Sequence, residues 1–426
     1  MRGNMKGRKV KIWAAGVVGI LAGGVGLVGT PVHAATKTTI TYYTFSAAPD
    51  HTKALNAMVA AFEKKNPTIH VVVQNGAYGD YFTKLKTRIV GNLAPDTFEL
   101  NFENFVPYAL SGTLLDLNSQ SKKDKTFKKS AYYGKAYNVF AMKGKQYGLP
   151  ASFSTVVLFY NKDLFKSAGV ALPNSSWDWS DEIAASAALK AKLPEGSYAD
   201  FQPVQFFEFY KTLAAAGGKF FNADKTKVLF NKAPGIAALN NLINRVKDGY
   251  MPNKAQLGTV GEIGLFTTGK LAMIHTGIWN FDGFKDLPFG WDIAVEPGSV
   301  SPSNHFFSNA VVASAKTKHP EAAWKWARFM TSDPAAVKIR IAASWEIPAV
   351  SDKKALAGYL NNPLPANRPA VFEALKYPTV PPVIRQQQQM QDAVSAWLEK
   401  ALNGSVSVTE ALNSAASDVN ALLEKE

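Results

Sequence analysis

An alternation near the start of the chain constrains its fold more than any other feature. Thr38 to Phe45 is a β-branched and aromatic run that reads as a strand. Ser46 to Asp50 then turn into a helix on which Leu55, Met58, Val59 and Phe62 recur at i, i+3, i+4 and i+7, and Asn66-Pro67 stops it. Ile69, Val71 and Val73 alternate as a second strand. Asp80 is placed to cap a second helix with Phe82, Leu85 and Ile89 on one face, and Pro95-Asp96 introduces a third strand, Thr97 to Leu100. Strands separated by helices in this way argue a parallel α/β sheet, whose ligands lie outside the carboxyl ends of the strands. The 426 residues exceed what one core usually serves, so two domains are expected.

A third of the way in, Gly148 and Pro150 precede the apolar run Thr155 to Tyr160, which Asn161-Lys162-Asp163 ends; the run reads as a buried strand followed at once by a helix. Beyond it come Trp177-Asp-Trp179, a helix through Ala184 to Leu193 and an aromatic cluster from Phe201 to Tyr210. Ala233-Pro234 starts a helix that Gly249 stops. Leu271 to His275 and Trp291 to Val295 read as short strands, and Pro320 opens a helix carrying Ala323, Trp326, Ala327 and Met330 on one face. Asp333-Pro334 restarts a helix, and from Ile384 onward the pattern is helical, with Ser407 and Glu410 spaced as a capping box.

The first 34 residues read as a cleaved leader. Five basic residues, Arg2 to Lys11, precede an uncharged stretch from Ile12 to Gly29, and Val32-His33-Ala34 has small residues where a signal peptidase reads. Six glycines in those 18 residues argue against a retained span. Removing the leader lowers the formal charge from +14 to +9. Lysine dominates that excess, is spread along the chain and has no nucleic-acid motif around it, so it reads as a solvated surface facing an anionic cell envelope. Lys122, Lys123, Lys125, Lys128 and Lys129 read as a solvated loop. Cysteine is absent, which excludes disulfides, thiolate metal sites, cysteine catalysis and a lipidated cysteine anchor.

Enzyme signals fail on inspection. Gly264-Leu-Phe-Thr-Thr-Gly-Lys-Leu271 has the spacing of a phosphate loop, but Leu271 stands where a hydroxyl must bind Mg²⁺ and a strand follows where a helix must open. His-Glu-x-x-His and Gly-x-Ser-x-Gly are absent, and no histidines are paired at ligand spacing. Glu99 and Glu103 are the one pair of acids that a secreted glycan-active enzyme would use. No metal or cofactor is implied. A binding protein for a non-sugar solute is the other alternative.

The Tyr147-Gly-Leu-Pro entry, the turn at Leu158-Phe-Tyr-Asn-Lys-Asp-Leu-Phe165, the Ala168-Gly-Val close and the run Gly269-Lys-Leu-Ala-Met to Gly277-Ile-Trp279 together resemble the extracellular solute-binding proteins of ABC sugar importers, the group typified by maltose-binding protein. The resemblance spans nearly the whole mature chain. It implies an α/β, two-lobe periplasmic-binding-protein-like fold with discontinuous lobes, a hinge and a helical C-terminal region. The lobes expected are 35–149 with 297–331, and 150–296 with 332–426. It also implies capture of a carbohydrate, an oligosaccharide, outside the membrane by a monomer, and its delivery to the transmembrane subunits of an ABC permease. Sugar sites combine flat aromatics with hydroxyl-bonding groups in a closed cleft. Position by position, the resemblance puts Ser46, Asn101, Glu103, Phe153, Ser154, Gln205, Phe207, Tyr210, Trp279 and Trp345 at the ligand; Tyr78 and Asp80 join them from position alone. Where maltose-binding protein has an aromatic after strand three, this chain has Leu100.

The Val32-His-Ala junction predicts that secreted protein begins at or next to Ala35. Intact-mass measurement of culture supernatant checks this, and a full-length membrane species would contradict it.

Overall fold

The computed structural model describes residues 37–47 and 51–425. The leader and its junction, and residues 48–50 of the first turn, lie outside them. Strands β1 (Thr38–Thr44), β2 (Ile69–Asn75) and β3 (Thr97–Asn101) form where the pattern placed them. They are parallel, with Thr38 opposite Ile69 and Tyr42 opposite Thr97. After β4 (Gly148–Ser154) a single residue, Thr155, leads into β5 (Val156–Asn161). Then follow β6 (Met273–Gly277), β7 (Trp291–Ala294), β8 (Phe307–Ala313) and the two-residue β9 (Ile347–Pro348).

These strands make two sheets. The larger has the order β9-β4-β8-β3-β1-β2, and the smaller has the order β6-β5-β7. In the larger sheet β8 runs antiparallel to both β3 and β4. In the smaller, both pairs are antiparallel, because Gly277 returns to lie opposite Val156 and Ala294 opposite Leu158. Within these two sheets the parallel arrangement therefore belongs to the first three strands.

Alternation along the strands divides the larger sheet's side chains between two cores. Ile40, Tyr42, Val71 and Val311 meet Leu55, Met58 and Phe62 of the helix Thr52–Lys65, and Ala323, Trp326, Ala327 and Met330 of the helix Pro320–Ser332. Tyr43, Phe98, Leu100 and Val312 meet Tyr81 and Leu85 of the helix Tyr78–Val90, and Phe105 and Ala109 of the helix Phe102–Leu110. Both faces are thus covered, as a parallel sheet requires. Trp326 is the centre of the first core, edge-on to Tyr42 at 5.4 Å and to Phe62 at 5.1 Å.

Asp80 departs from its expected role. The helix begins at Tyr78 with Ala77 as its cap, and Asp80 lies exposed in the first turn, paired with Lys84 one turn on. It still favours the positive end of the helix, without bonding an end amide. Asn161 does cap: its Oδ1 accepts from Asp163 N at 3.0 Å and Leu164 N at 3.1 Å, which ends β5 and starts the next helix. Ser407 accepts from Glu410 N at 3.1 Å.

The chain passes from the larger sheet to the smaller at Thr155 and returns through residues 295–306, where Asn304–His305 pairs with Pro378–Thr379. The helix Pro334–Ala342 and β9 stay with the larger sheet: Ile347 and Pro348 pair with Phe153 and Ser152. Beyond residue 350, Tyr359, Ala370 and Val371 join the core of the smaller sheet. The helices Gln387–Leu402 and Val408–Leu423 pack on the helices Phe206–Ala215 and Ala233–Lys247. Among the described residues no helix is long and apolar enough to cross a membrane.

Candidate ligand-binding site

Antiparallel pairing brings the start of β8 to the same edge as the carboxyl ends of β3 and β4: Asn309 lies opposite Asn101, and Phe307 opposite Ser154. The end of β6 meets that edge beside the crossing, and Trp279 follows it immediately.

On the larger sheet's side the polar groups are interlocked. Asn101 stands at the cap position of the helix Phe102–Leu110 but does not spend its amide on the helix. Its Nδ2 donates to the Tyr78 hydroxyl at 3.0 Å and to Glu103 Oε1 at 2.5 Å, and its Oδ1 accepts from Asn104 at 2.9 Å. The second oxygen of Glu103 is buried with no partner among the described residues. Burial pushes this carboxyl up from its ordinary value to about 7. Glu99 serves a different purpose, since Oε2 accepts from Thr44 Oγ1, Phe45 N and Ser46 N at 2.5, 3.2 and 3.1 Å and so ties the loop after β1 to β3. Ser46 contributes its amide to that tie.

Across the edge stands a run of rings. Trp279 is 37% exposed and lies 6.0 Å from Phe307. Phe307 stacks on His305 at 4.9 Å and meets Phe207 edge-on at 6.4 Å, and His305 meets Tyr210 at 5.5 Å. On the other bank Phe45 meets Tyr78 at 5.2 Å. Burial first, and then the Glu103 carboxylate, raises the Tyr210 hydroxyl well above its ordinary value. Glu103 and Tyr210 are thus electrostatic neighbours although they come from separate helices, Phe102–Leu110 and Phe206–Ala215. The Tyr210 hydroxyl is likewise buried and unpartnered.

The indole of Trp279 is folded over Gly277. A Cβ at position 277 would fall 2.1 Å from a ring carbon, so only glycine permits this placement.

Five of the expected residues lie elsewhere or are covered. Gln205 is exposed at the start of its helix and Asp80 is held by Lys84. Phe153 is buried between Tyr133 and Phe306, and Ser154 is buried in β4. Trp345 is only 1% exposed: His51 stacks on it at 4.9 Å and the Arg340 guanidinium lies 4.3 Å from its ring. Sequence reasoning missed Phe45, His305 and Phe307, although the aromatic run His305-Phe-Phe just before a strand was a usable signal.

Behind the rings lies a buried ion network that no local pattern announced. Arg245 bonds Glu182 at 2.8 Å and also Asp200; His275 bonds Glu182 at 2.6 Å and Glu296 at 2.7 Å; and Lys211 bonds Glu296 at 2.6 Å and Glu208 at 3.0 Å. Burial opposes charge on His275, but Glu182 and Asp200 outweigh it and raise the imidazole to about 10, so it is cationic at neutral pH. The ligand atoms of Glu182, Asp200 and His275 lie within 4.8 Å of one another, the spacing of a metal site. Arg245 already supplies the cation that those carboxylates need. His305 closes the network toward the site: Nε2 donates to the Phe207 carbonyl at 2.9 Å, and burial holds its pKa below the ordinary value.

A family model described as bacterial extracellular solute-binding protein matches residues 48–337. The chain belongs to that family. A galactooligosaccharide-binding protein of Bacillus subtilis is 26% identical over 378 residues, covering 84% of each chain. An ABC substrate-binding protein from Listeria monocytogenes, solved in complex with cycloalternan, is 45% identical with a TM-score of 0.88, covering 91% of this chain and 99% of that one. The acarbose-binding GacH receptor of Streptomyces glaucescens shares the fold at 20% identity and a TM-score of 0.81. The solute-binding protein thus has the two-lobe fold of the periplasmic binding proteins.

Truncating Trp279 to Ala should weaken ligand binding by about 2 kcal/mol or more, over tenfold, while costing less stability than the roughly 3 to 5 kcal/mol of a fully buried aromatic. Gly277→Ala should reproduce the affinity loss by displacing the ring. Calorimetric titration and denaturant midpoints on both variants check this, and an unchanged affinity removes Trp279 from the site.

Glu103 predicts a pH dependence. Below its ordinary value of 4.5 the carboxyl is neutral in folded and unfolded chains alike. As pH rises from there through about 7, the folded chain keeps a proton that the unfolded chain has lost, so stability falls across that window. Glu103→Gln should be more stable than the parent above pH 7, by roughly 3 kcal/mol at most, with no difference below the ordinary carboxylate value. Urea midpoints from pH 4 to 8 measure it.

Proposed function

We propose that this solute-binding protein captures an oligosaccharide between its lobes and delivers it to the transmembrane subunits of an ABC importer. The observation that carries the reading is the pairing of a half-exposed ring run, Trp279–Phe307–Phe207, with buried hydrogen-bonding atoms left free on Glu103 and Tyr210. A sugar offers apolar C–H faces to such rings and hydroxyls to such atoms, and exclusion of water makes each unpaired atom costly unless a ligand reaches it. The 45% identity to a protein solved with cycloalternan supports an α-glucan oligosaccharide, and the galactooligosaccharide-binding relative supports the wider class.

In this reading the residues that touch ligand are Tyr78, Asn101, Glu103, Phe207, Tyr210 and Trp279, joined by Phe45 and Phe307. Ser46, Phe153, Ser154 and Trp345 shape the wall behind them. The lobes are residues 37–154 with 307–350, and 156–294 with 351–425, joined at Thr155, through 295–306 and again after residue 350. The protein works outside the cytoplasm as a monomer, by binding rather than catalysis and without nucleic acid. The engagement of Glu99 by three donors supports that assignment, because it leaves no free second carboxylate beside Glu103.

Calorimetry with cycloalternan, linear maltodextrins, galactooligosaccharides and glycerophosphocholine tests the class. One of the sugars should bind with a Kd near or below about 1 µM, worth ~8 kcal/mol, and small-angle scattering at saturation should show the lobes closing. Binding of the phosphodiester alone, or an unchanged radius of gyration at saturation, would overturn the reading.

A further inference from the structure

The basic excess of this chain is concentrated rather than spread. Of the formal +14, five charges belong to residues 1–36 and seven to residues 118–146, leaving +2 on the other 361. Within 118–146 there are eight lysines, Lys122, Lys123, Lys125, Lys128, Lys129, Lys135, Lys143 and Lys145, against one acid, Asp124, and no arginine. All eight lysines are exposed, and none forms an ion pair among the described residues.

The fold gathers this segment on itself. Asn118 Nδ2 donates to the Gly144 carbonyl at 3.0 Å, which brings the helix Asn118–Lys123 to the tip of the hairpin Ala141–Met142/Lys145–Gln146. Lys143 and Gly144 form that tip with φ of 49° and 76°, the primed-turn geometry of a two-residue hairpin. Lys129 lies 4.9 Å over the Tyr137 ring, tying the middle of the segment to the helix Gly134–Asn138. The segment's own acid is drawn away from the lysines, since Trp324 Nε1 donates to Asp124 at 3.0 Å and Arg328 bonds the same oxygen; from outside the segment Glu321, itself paired with Lys325, interacts with Lys123. Mutual repulsion among eight unpaired cations destabilises a compact surface unless an anion offsets it.

We propose that this face of the larger lobe binds a linear polymer of phosphate groups. Lysine suits such a partner, since each ammonium is a point charge with freely rotating donors, whereas arginine's planar fork serves fixed bidentate sites. A flexible chain can follow cations set on a helix, a loop and a hairpin turn. A bilayer surface is the poorer match, because membrane-docking faces add apolar side chains that enter the interface, and here Tyr133 is the one large apolar side chain well exposed in the segment. The interaction is separate from sugar capture and places no demand on the cleft.

The test uses the secreted full chain and long-chain sodium polyphosphate, with binding followed across a range of NaCl. A first variant carries Lys122→Gln, Lys123→Gln, Lys125→Gln and Lys128→Gln. A second, with the same change in net charge, carries Lys219→Gln, Lys225→Gln, Lys227→Gln and Lys232→Gln, four exposed lysines elsewhere. The first should lose about tenfold or more in affinity and flatten the dependence of binding on salt, as released counterions fall with the number of contacts. The second should change by less than about twofold, and denaturant midpoints should be the same for both, so that folding is not the cause. Equal losses in the two variants would overturn the proposal in favour of a general net-charge effect. Retention by anionic-lipid vesicles together with indifference to polyphosphate would overturn it in favour of a membrane surface. Sugar affinity that falls with the first variant would refute the separation of the two surfaces.

Discussion

The shortest link between the two sheets is one residue long. Thr155 is all that separates β4, which lies between β8 and β9 in the larger sheet, from β5, which lies between β6 and β7 in the smaller. Both strands are hydrogen-bonded on two sides, so neither can shift its register without breaking a ladder. The strand ends beside Thr155 are therefore fixed close together, and those ends carry Trp279, Phe307, Ser154 and Asn101.

The second constraint is electrostatic. Arg245, His275 and Lys211 are buried with Glu182, Asp200, Glu208 and Glu296, and burying so many charges is tolerable only because each is paired. The network reaches the helix Phe206–Ala215 through Glu208 and Lys211, and through His305 it reaches the Phe207 carbonyl. The side chains that present Phe207 and Tyr210 at the cleft are thus backed by ion pairs that cannot slide as an oily core can. Glu103 and Tyr210, by contrast, each keep a buried polar atom without a partner, and they lie at the meeting of the lobes. Other buried atoms share that state, among them Glu296 Oε2 and two nitrogens of Arg368; what sets Glu103 and Tyr210 apart is their place beside the ring run.

Local signals identified the elements well. The spacing of Leu55, Met58 and Phe62, the stop at Asn66-Pro67 and the Pro320 start all depend on neighbours a few residues away, and all appear as read. Asp80 was misplaced because a capping residue is defined by where the helix begins, and Ala77 is already extended while Tyr78 is helical. The break at Asp333-Pro334 looks like a crossing, whereas the strand that follows pairs Ile347 with Phe153 of the larger sheet, nearly two hundred residues away.

By itself the sequence determined the α/β class, the order of the first strands and helices and, through Gly277-Ile-Trp279, a partly exposed ring after a strand. Each of these rests on interactions within one turn or one strand, which spacing along the chain records. Only the tertiary structure decided which aromatics face the cleft. Trp345 and Trp279 are both tryptophans expected at the sugar, yet His51 and Arg340 cover the first, while the second lies over Gly277 beside Phe307 and stays 37% exposed. Exposure is set by whatever distant segment arrives to cover a side chain, and no spacing rule carries that information.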